Sequence, residues 1–243
     1  MHTVRTLLVL SILALAAQPV VAQYQEVAVT NGGTIIGHVR VSGEIPALPP
    51  QTVYKEQATC GTTIPDQRLL VDKSRGLRNA IVSLVDVKAG KPIARDQPVA
   101  LDNVKCMFVP HVLTASVGQM IEIHNSDPFL HDAQALLGPQ TLFNVAVPKG
   151  RTVRRPLAYA GLINIICNVR HTWMHAYLFV AEHPYHTVTN ANGEFRIDGV
   201  PPGTYTLRAW HELLGSVDRP VTVEGNKTAT VDVTLQSVAA ETP

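Results

Sequence analysis

Cys167, His171 and Met174 fall within one run of eight residues, Cys-Asn-Val-Arg-His-Thr-Trp-Met. A thiolate, an imidazole and a thioether this close in sequence can gather around one point if the run forms a tight loop. A second imidazole comes from His131, at the end of Asn125-Ser126-Asp127-Pro128-Phe129-Leu130-His131. Two histidines, one cysteine and a weak methionine are the ligand set of electron-transfer copper sites. Sulfur ligands favour Cu(I) and imidazole suits both oxidation states, so one ion could cycle there with little reorganisation. Zinc competes for cysteine and histidine but seldom recruits methionine. The expectation is one copper ion with His131, Cys167 and His171 as equatorial ligands and Met174 as the axial one.

Such ligands need a rigid frame, and the flanking sequence supplies strands. Residues 162–166 run straight into Cys167, and residues 176–180 begin just after Met174. Residues 113–117, Gly118-Gln119 and residues 120–124 read as a hairpin leading to the His131 segment. Residues 34–41 and 80–85 are apolar, β-branched runs next to glycine. Residues 193–200, 204–210, 221–223 and 228–235 alternate with period two, which gives one buried and one wet face and an antiparallel sheet. Helical spacing is scarce, and 17 prolines and 16 glycines punctuate the chain. The pattern predicts an all-β sandwich architecture. Residues 42–69, rich in Pro, Thr and Gln, read as a long loop.

The bulk properties narrow the options. The 243 residues allow one large or two modest domains, and a 46% hydrophobic content is globular. A net charge of +1 with no basic or acidic run argues against nucleic acid or anionic membrane as a partner. At the N-terminus, Arg5 precedes an apolar stretch over residues 7–17, then Val20-Val21-Ala22 and Gln23. This is the order of a signal peptide over residues 1–22, and the stretch is shorter than the roughly 20 residues of a membrane span. The expected location is therefore periplasmic or secreted, with no membrane span after cleavage. In that oxidising setting Cys60 and Cys106 are expected to pair, and metal binding explains why Cys167 stays free.

Two known families are resembled. Phe108-Val109-Pro110, Val117-Gly118-Gln119, Asn125-Ser126-Asp127 and His131, followed by Cys167, His171 and Met174, are similar to the ligand-bearing half of cupredoxins such as plastocyanin and amicyanin. The resemblance covers about residues 100–183 well and 28–99 loosely, and implies a Greek-key sandwich with copper near one end. The loop spacing also resembles the second half of a binuclear copper loop, but the partner cysteine would fall at Ile163. Asp132 stands where small cupredoxins often carry Asn, and Trp173 lies inside the loop. Asn192-Gly193-Glu194-Phe195 through Pro202-Gly203-Thr204-Tyr205 resembles the carboxypeptidase regulatory-like module, a smaller transthyretin-like sandwich grouped with carbohydrate-binding-like folds. The expected division is residues 23–183 for the copper-binding domain and 184–243 for the module. Residues 33–41 and 77–85 look like the module's opening, so a nested arrangement competes with a tandem one. Across its length the chain is similar to exported methylamine-utilisation-like proteins.

The functional expectation is a mononuclear copper protein that carries single electrons, or copper itself, and exchanges with a redox partner protein. It reads as an electron carrier rather than a catalyst: there is no G-x-S-x-G motif and no phosphate-binding glycine loop. A copper enzyme of the nitrite reductase type would need a second copper with three histidines, and no histidine spacing marks one. The alternative is a metal-free module that binds carbohydrate or protein, with Trp210 as a sugar platform. Of the other histidines, His111 reads as a strand-end residue or outer ligand and His175 as a substitute for Met174. His124 reads as outward-facing, and His183 and His186 as linker or packing residues.

Overall fold

The computed structural model describes residues 24–237. The signal-peptide reading over residues 1–22 lies outside the described residues. Strands dominate, and among the described residues the one helix is the single turn Gln57–Cys60.

Two β-sandwiches share the chain. In the first, a five-stranded sheet runs in the spatial order Gln140–Val147, His131–Leu137, Gly161–Ile166, His175–Ala181, Val112–Ser116. A four-stranded sheet runs Thr152–Pro156, Met120–Asn125, Val99–Val104, Met107–Val109. Alternation turns Ile121, Ile123 and Asn125 inward, where they join Leu101, Ile163, Ile165 and Leu178 between the sheets. Burying each of these aliphatic side chains contributes about 1.5–3 kcal/mol.

The second sandwich pairs His186–Val188, Ile81–Val85, Gly203–His211 and Gly215–Val223 in one sheet. The other holds Glu194–Val200, Gly33–Ser42 and Thr228–Thr230, with Val233–Gln236 also on Gly33–Ser42. Strand Gly33–Ser42 buries every second residue, and Ile35, Val39 and Val41 meet Leu84, Phe195, Leu207 and Leu235.

The pairing corrects the division at residues 183 and 184. Gly33–Ser42 and Ile81–Val85 lie N-terminal to that boundary yet belong to the second sandwich. Every sheet neighbour of these two strands comes from the C-terminal part of the chain, so the first sandwich is an insertion. The proposed hairpin across Gly118-Gln119 is also corrected. Val112–Ser116 pairs in parallel with His175–Ala181, whereas Met120–Asn125 pairs with Thr152–Pro156 and Val99–Val104. At the corner Val117 N–H donates to Ala181 and Gly118 N–H to Leu157, so the chain passes from one sheet to the other. Gly118, with φ of 91°, makes that turn where a side chain would meet Arg95.

The long loop has structure of its own. Gln51–Thr52 pairs with Thr63–Ile64, and Val53 and Ile64 are buried in the first core. A disulfide joins Cys60 to Cys106 with their Cα atoms 5.5 Å apart, so this flap is tied to the first sandwich. The two sandwiches meet along Val112–Ser116. Ser116 Oγ lies 3.0 Å from His186 Nε2, and the Tyr177 and Trp210 rings touch edge to face at 5.3 Å. Trp210 is thereby drawn into the seam. His183, read as a linker residue, is buried with Nε2 2.9 Å from the Leu84 carbonyl. No helix among the described residues is long and apolar enough to cross a membrane.

Candidate metal centre

His131 opens strand His131–Leu137 and Cys167 follows strand Gly161–Ile166. These neighbours are antiparallel, so both residues emerge at one end of the same sheet. His175 opens the next antiparallel strand, which makes residues 167–174 the connecting loop. Cys167 N–H donates to the Met174 carbonyl at 3.3 Å and Met174 N–H to the His171 carbonyl at 2.8 Å, drawing the loop tight. Arg170 turns the chain just before His171 with φ of 69°. That left-handed conformation costs about 1–2 kcal/mol in a non-glycine residue.

Three donor atoms converge. Cys167 Sγ lies 3.7 Å from His131 Nδ1 and 3.6 Å from His171 Nδ1, and the nitrogens are 3.1 Å apart. A first-row ion with bonds of about 2.3 Å to sulfur and about 2.0 Å to nitrogen holds S and N roughly 3.5–3.7 Å apart and two nitrogens roughly 3.1–3.4 Å apart. The triangle has those dimensions. His131, Cys167 and His171 are all buried, and Met174 is buried in the same core.

The surroundings hold this geometry. Asp127 Oδ2 lies 2.9 Å from His131 Nε2 and accepts from Cys106 N–H at 2.8 Å, while Oδ1 accepts from Lys105 N–H at 2.7 Å. The carboxylate keeps a proton on His131 Nε2 and leaves Nδ1 as the free lone pair. Asp132, at the position where Asn was the usual residue, accepts from Asn168 N–H and so fixes the residue after the cysteine. Trp173 donates from Nε1 to the Cys106 carbonyl at 2.9 Å, and its ring lies 5.3 Å from His171. Phe129 covers the other side, 5.1 Å from His131 and 5.7 Å from His171. Lys55 reaches from the flap to the Val169 carbonyl at 3.5 Å. Under this cover His171 Nε2 is buried without a hydrogen-bond partner among the described residues.

Burial decides the protonation states. It pushes the Cys167 thiol up to about 11, although the Asp132 and Val169 amides pull the other way. It lowers His171 to about 4, with His131 and Lys55 adding to the effect. It also lowers His131, and Asp127 only partly offsets this. The metal-free centre is therefore a thiol and two neutral imidazoles. An ion must displace the thiol proton, so its affinity falls as the pH falls.

A second group of side chains, not marked by any sequence spacing, meets at the seam. His111 Nε2 contacts Glu212 Oε1, and His175 Nε2 lies 3.8 Å from Glu212 Oε2. His111 and Glu212 are both almost fully buried, with side-chain exposures of 2% and 4%. The strand that begins at His175 turns its imidazole toward Glu212, which accounts for this residue without the substitution for Met174. Glu212 stands 101 positions from His111, so no local signal could have joined them.

Comparison with known proteins supplies relatives for each part. The carboxypeptidase regulatory-like domain matches residues 175–236. No curated protein matches the chain. Among solved structures, a copper-containing nitrite reductase from Thermus scotoductus is 28% identical with a TM-score of 0.33, covering 41% of this chain and 25% of its own. The chain thus spans about a quarter of that enzyme's length. A purple cupredoxin from Nitrosopumilus maritimus is 19% identical with a TM-score of 0.31, covering 34% of this chain and 99% of its own. Amicyanin from Paracoccus versutus is 16% identical with a TM-score of 0.31, covering 41% of this chain and 96% of its own.

Proposed function

We propose that this protein is an exported carrier of single electrons that binds one copper ion through His131 Nδ1, Cys167 Sγ and His171 Nδ1, with Met174 as the weak axial ligand. The observation that carries the reading is the buried triangle of one sulfur and two nitrogens, 3.1–3.7 Å on a side. Copper, when bound, would supply the Cu(II)/Cu(I) couple that this donor set suits. The chain's own part is to hold the donors still. Asp127 keeps the proton on His131 Nε2, the closed loop fixes Cys167 and His171, and Phe129 and Trp173 exclude water. A frame that holds its donors in place favours electron transfer over catalysis.

The apolar N-terminal stretch and the Cys60–Cys106 disulfide support a periplasmic or secreted location. The redox partner would approach the exposed rim formed by Tyr54, Lys55 and Arg170 outside the buried His171. The test loads the chain from residue 23 onward with one equivalent of Cu(II), beside Cys167→Ser. The expected result is an intense thiolate-to-copper absorption band, absent in the variant, with reversible one-electron cycling. Copper binding without reversible cycling would leave a copper carrier. No stoichiometric binding of Cu(II) or Cu(I) would overturn the proposal.

A further inference from the structure

We propose that His111, His175 and Glu212 form a second metal site, for a divalent ion such as Zn(II) or Cu(II), at the seam between the two sandwiches. Three separate parts of the chain build it. His111 immediately precedes strand Val112–Ser116, and His175 opens its parallel neighbour His175–Ala181. Glu212 sits in the turn between Gly203–His211 and Gly215–Val223 of the other sandwich. Their ligand atoms all lie within 4.8 Å of one another.

A buried ion pair alone leaves part of this arrangement unexplained. Glu212 is 4% exposed, and both imidazoles approach its carboxylate. His111 satisfies one carboxylate oxygen. The other faces His175 Nε2 across 3.8 Å, too far for a hydrogen bond. The imidazole rings stand 5.1 Å apart and nearly perpendicular, each with Nε2 toward the same carboxylate. An ion at bonds of about 2.0–2.2 Å would use all three donors at once.

The donor set selects the ion. Two imidazoles and a carboxylate, with no sulfur, suit borderline divalent ions and disfavour Cu(I). Three protein ligands leave a coordination position free, as in catalytic zinc sites. His175 is 21% exposed and lines a surface groove with Tyr54, Arg68 and Trp173, so the cluster borders solvent through this residue. His175 directly follows Met174, which sets the site one peptide bond from the loop of the first centre. The inference stands whether or not copper occupies that centre.

Co(II) titration of the chain from residue 23 onward reads the two centres separately. Cobalt at Cys167 gives a sulfur charge-transfer band, whereas cobalt on His111, His175 and Glu212 gives ligand-field bands alone. Two equivalents are expected in the unaltered protein, and one, without charge transfer, in Cys167→Ser. His175→Gln, at a partly exposed position, and Glu212→Gln should each weaken the sulfur-free site by more than about 100-fold, beyond the loss typical of an outer-shell partner. Each should keep the charge-transfer band, which also reports that the variant is folded. Failure of the first centre would appear as a missing charge-transfer band with the sulfur-free equivalent intact. A sulfur-free equivalent that is absent, or that persists in both His175→Gln and Glu212→Gln, would overturn the second site.

Discussion

The two histidine clusters lie on either side of the Met174–His175 peptide bond, yet they are built in opposite ways. His131, Cys167 and His171 belong to one sandwich, include a sulfur and sit under Phe129, Trp173 and the flap. His111, His175 and Glu212 draw on both sandwiches, replace sulfur with a carboxylate and border a groove. The first arrangement is buried, as the proposed copper couple, which changes only its charge, requires. The second leaves one side accessible and ties two bodies together. The difference arises from position: a loop inside one sheet can be sealed, whereas a seam keeps an edge.

The sharpest separation of the two is expected from Cys167→Ser. It should abolish the thiolate-to-copper band completely, whereas Glu212→Gln should leave the band's intensity unchanged. Absorption spectra of both variants with one equivalent of Cu(II) check this. A band lost in Glu212→Gln would show that the centres are not independent.

The disulfide should matter more to the first centre than to the second, which the flap only borders along the groove lined by Tyr54 and His175. Replacing Cys60 and Cys106 by serine is expected to cost about 2–4 kcal/mol in urea unfolding, given the 46-residue separation it closes. The same change should loosen the loop near His171, because Cys106 accepts from Trp173 and donates to Asp127. Cobalt binding without charge transfer should weaken less, and equal damage to both centres would remove the contrast.

At the far end of the seam, His186 faces Ser116 and is held at about 4 by burial, with His183 and Lys91 adding to the effect. The unfolded chain takes up that proton near pH 6.5, before the folded one does. Stability is therefore fully present above pH 6.5 and lost as the pH falls toward 4. Between pH 7 and 5 the loss should be about 2 kcal/mol from this residue. Urea midpoints for His186→Gln should decline less over that range, and an unchanged decline would contradict the assignment.

A smaller change should tune the first centre. Asp127→Asn weakens the hold on His131 Nε2 and is expected to lower copper affinity by about 10–100-fold. Competition with a chelator measures the shift, and zinc affinity at the second cluster should stay constant.

Part of the first cluster has a local signature: Cys167 and His171 are four residues apart in one loop, whereas His131, 36 positions upstream, joins them only through the pairing of its strand. The strands themselves were legible, Gly33–Ser42 as an apolar β-branched run beside glycine and Glu194–Val200 from its alternation. Partner choice was harder to read. Apolar runs say that the strands of Ile35 and Leu84 are buried, but not that they close with residues near Phe195 and Leu207 beyond the inserted first sandwich. Gly118-Gln119 carries a turn signal that a hairpin and a sheet-to-sheet corner share, and only the pairing of the flanking strands separates them. The second cluster depends on how the two sandwiches dock, so its residues have no common signature in the chain.

The most direct measurement is X-ray absorption at the copper edge, on protein carrying one equivalent of Cu(II). One short sulfur and two imidazole nitrogens are expected around the ion, with the sulfur lost in Cys167→Ser and retained in Glu212→Gln. A first shell of nitrogen and oxygen alone would contradict the central assignment and would place the ion away from Cys167.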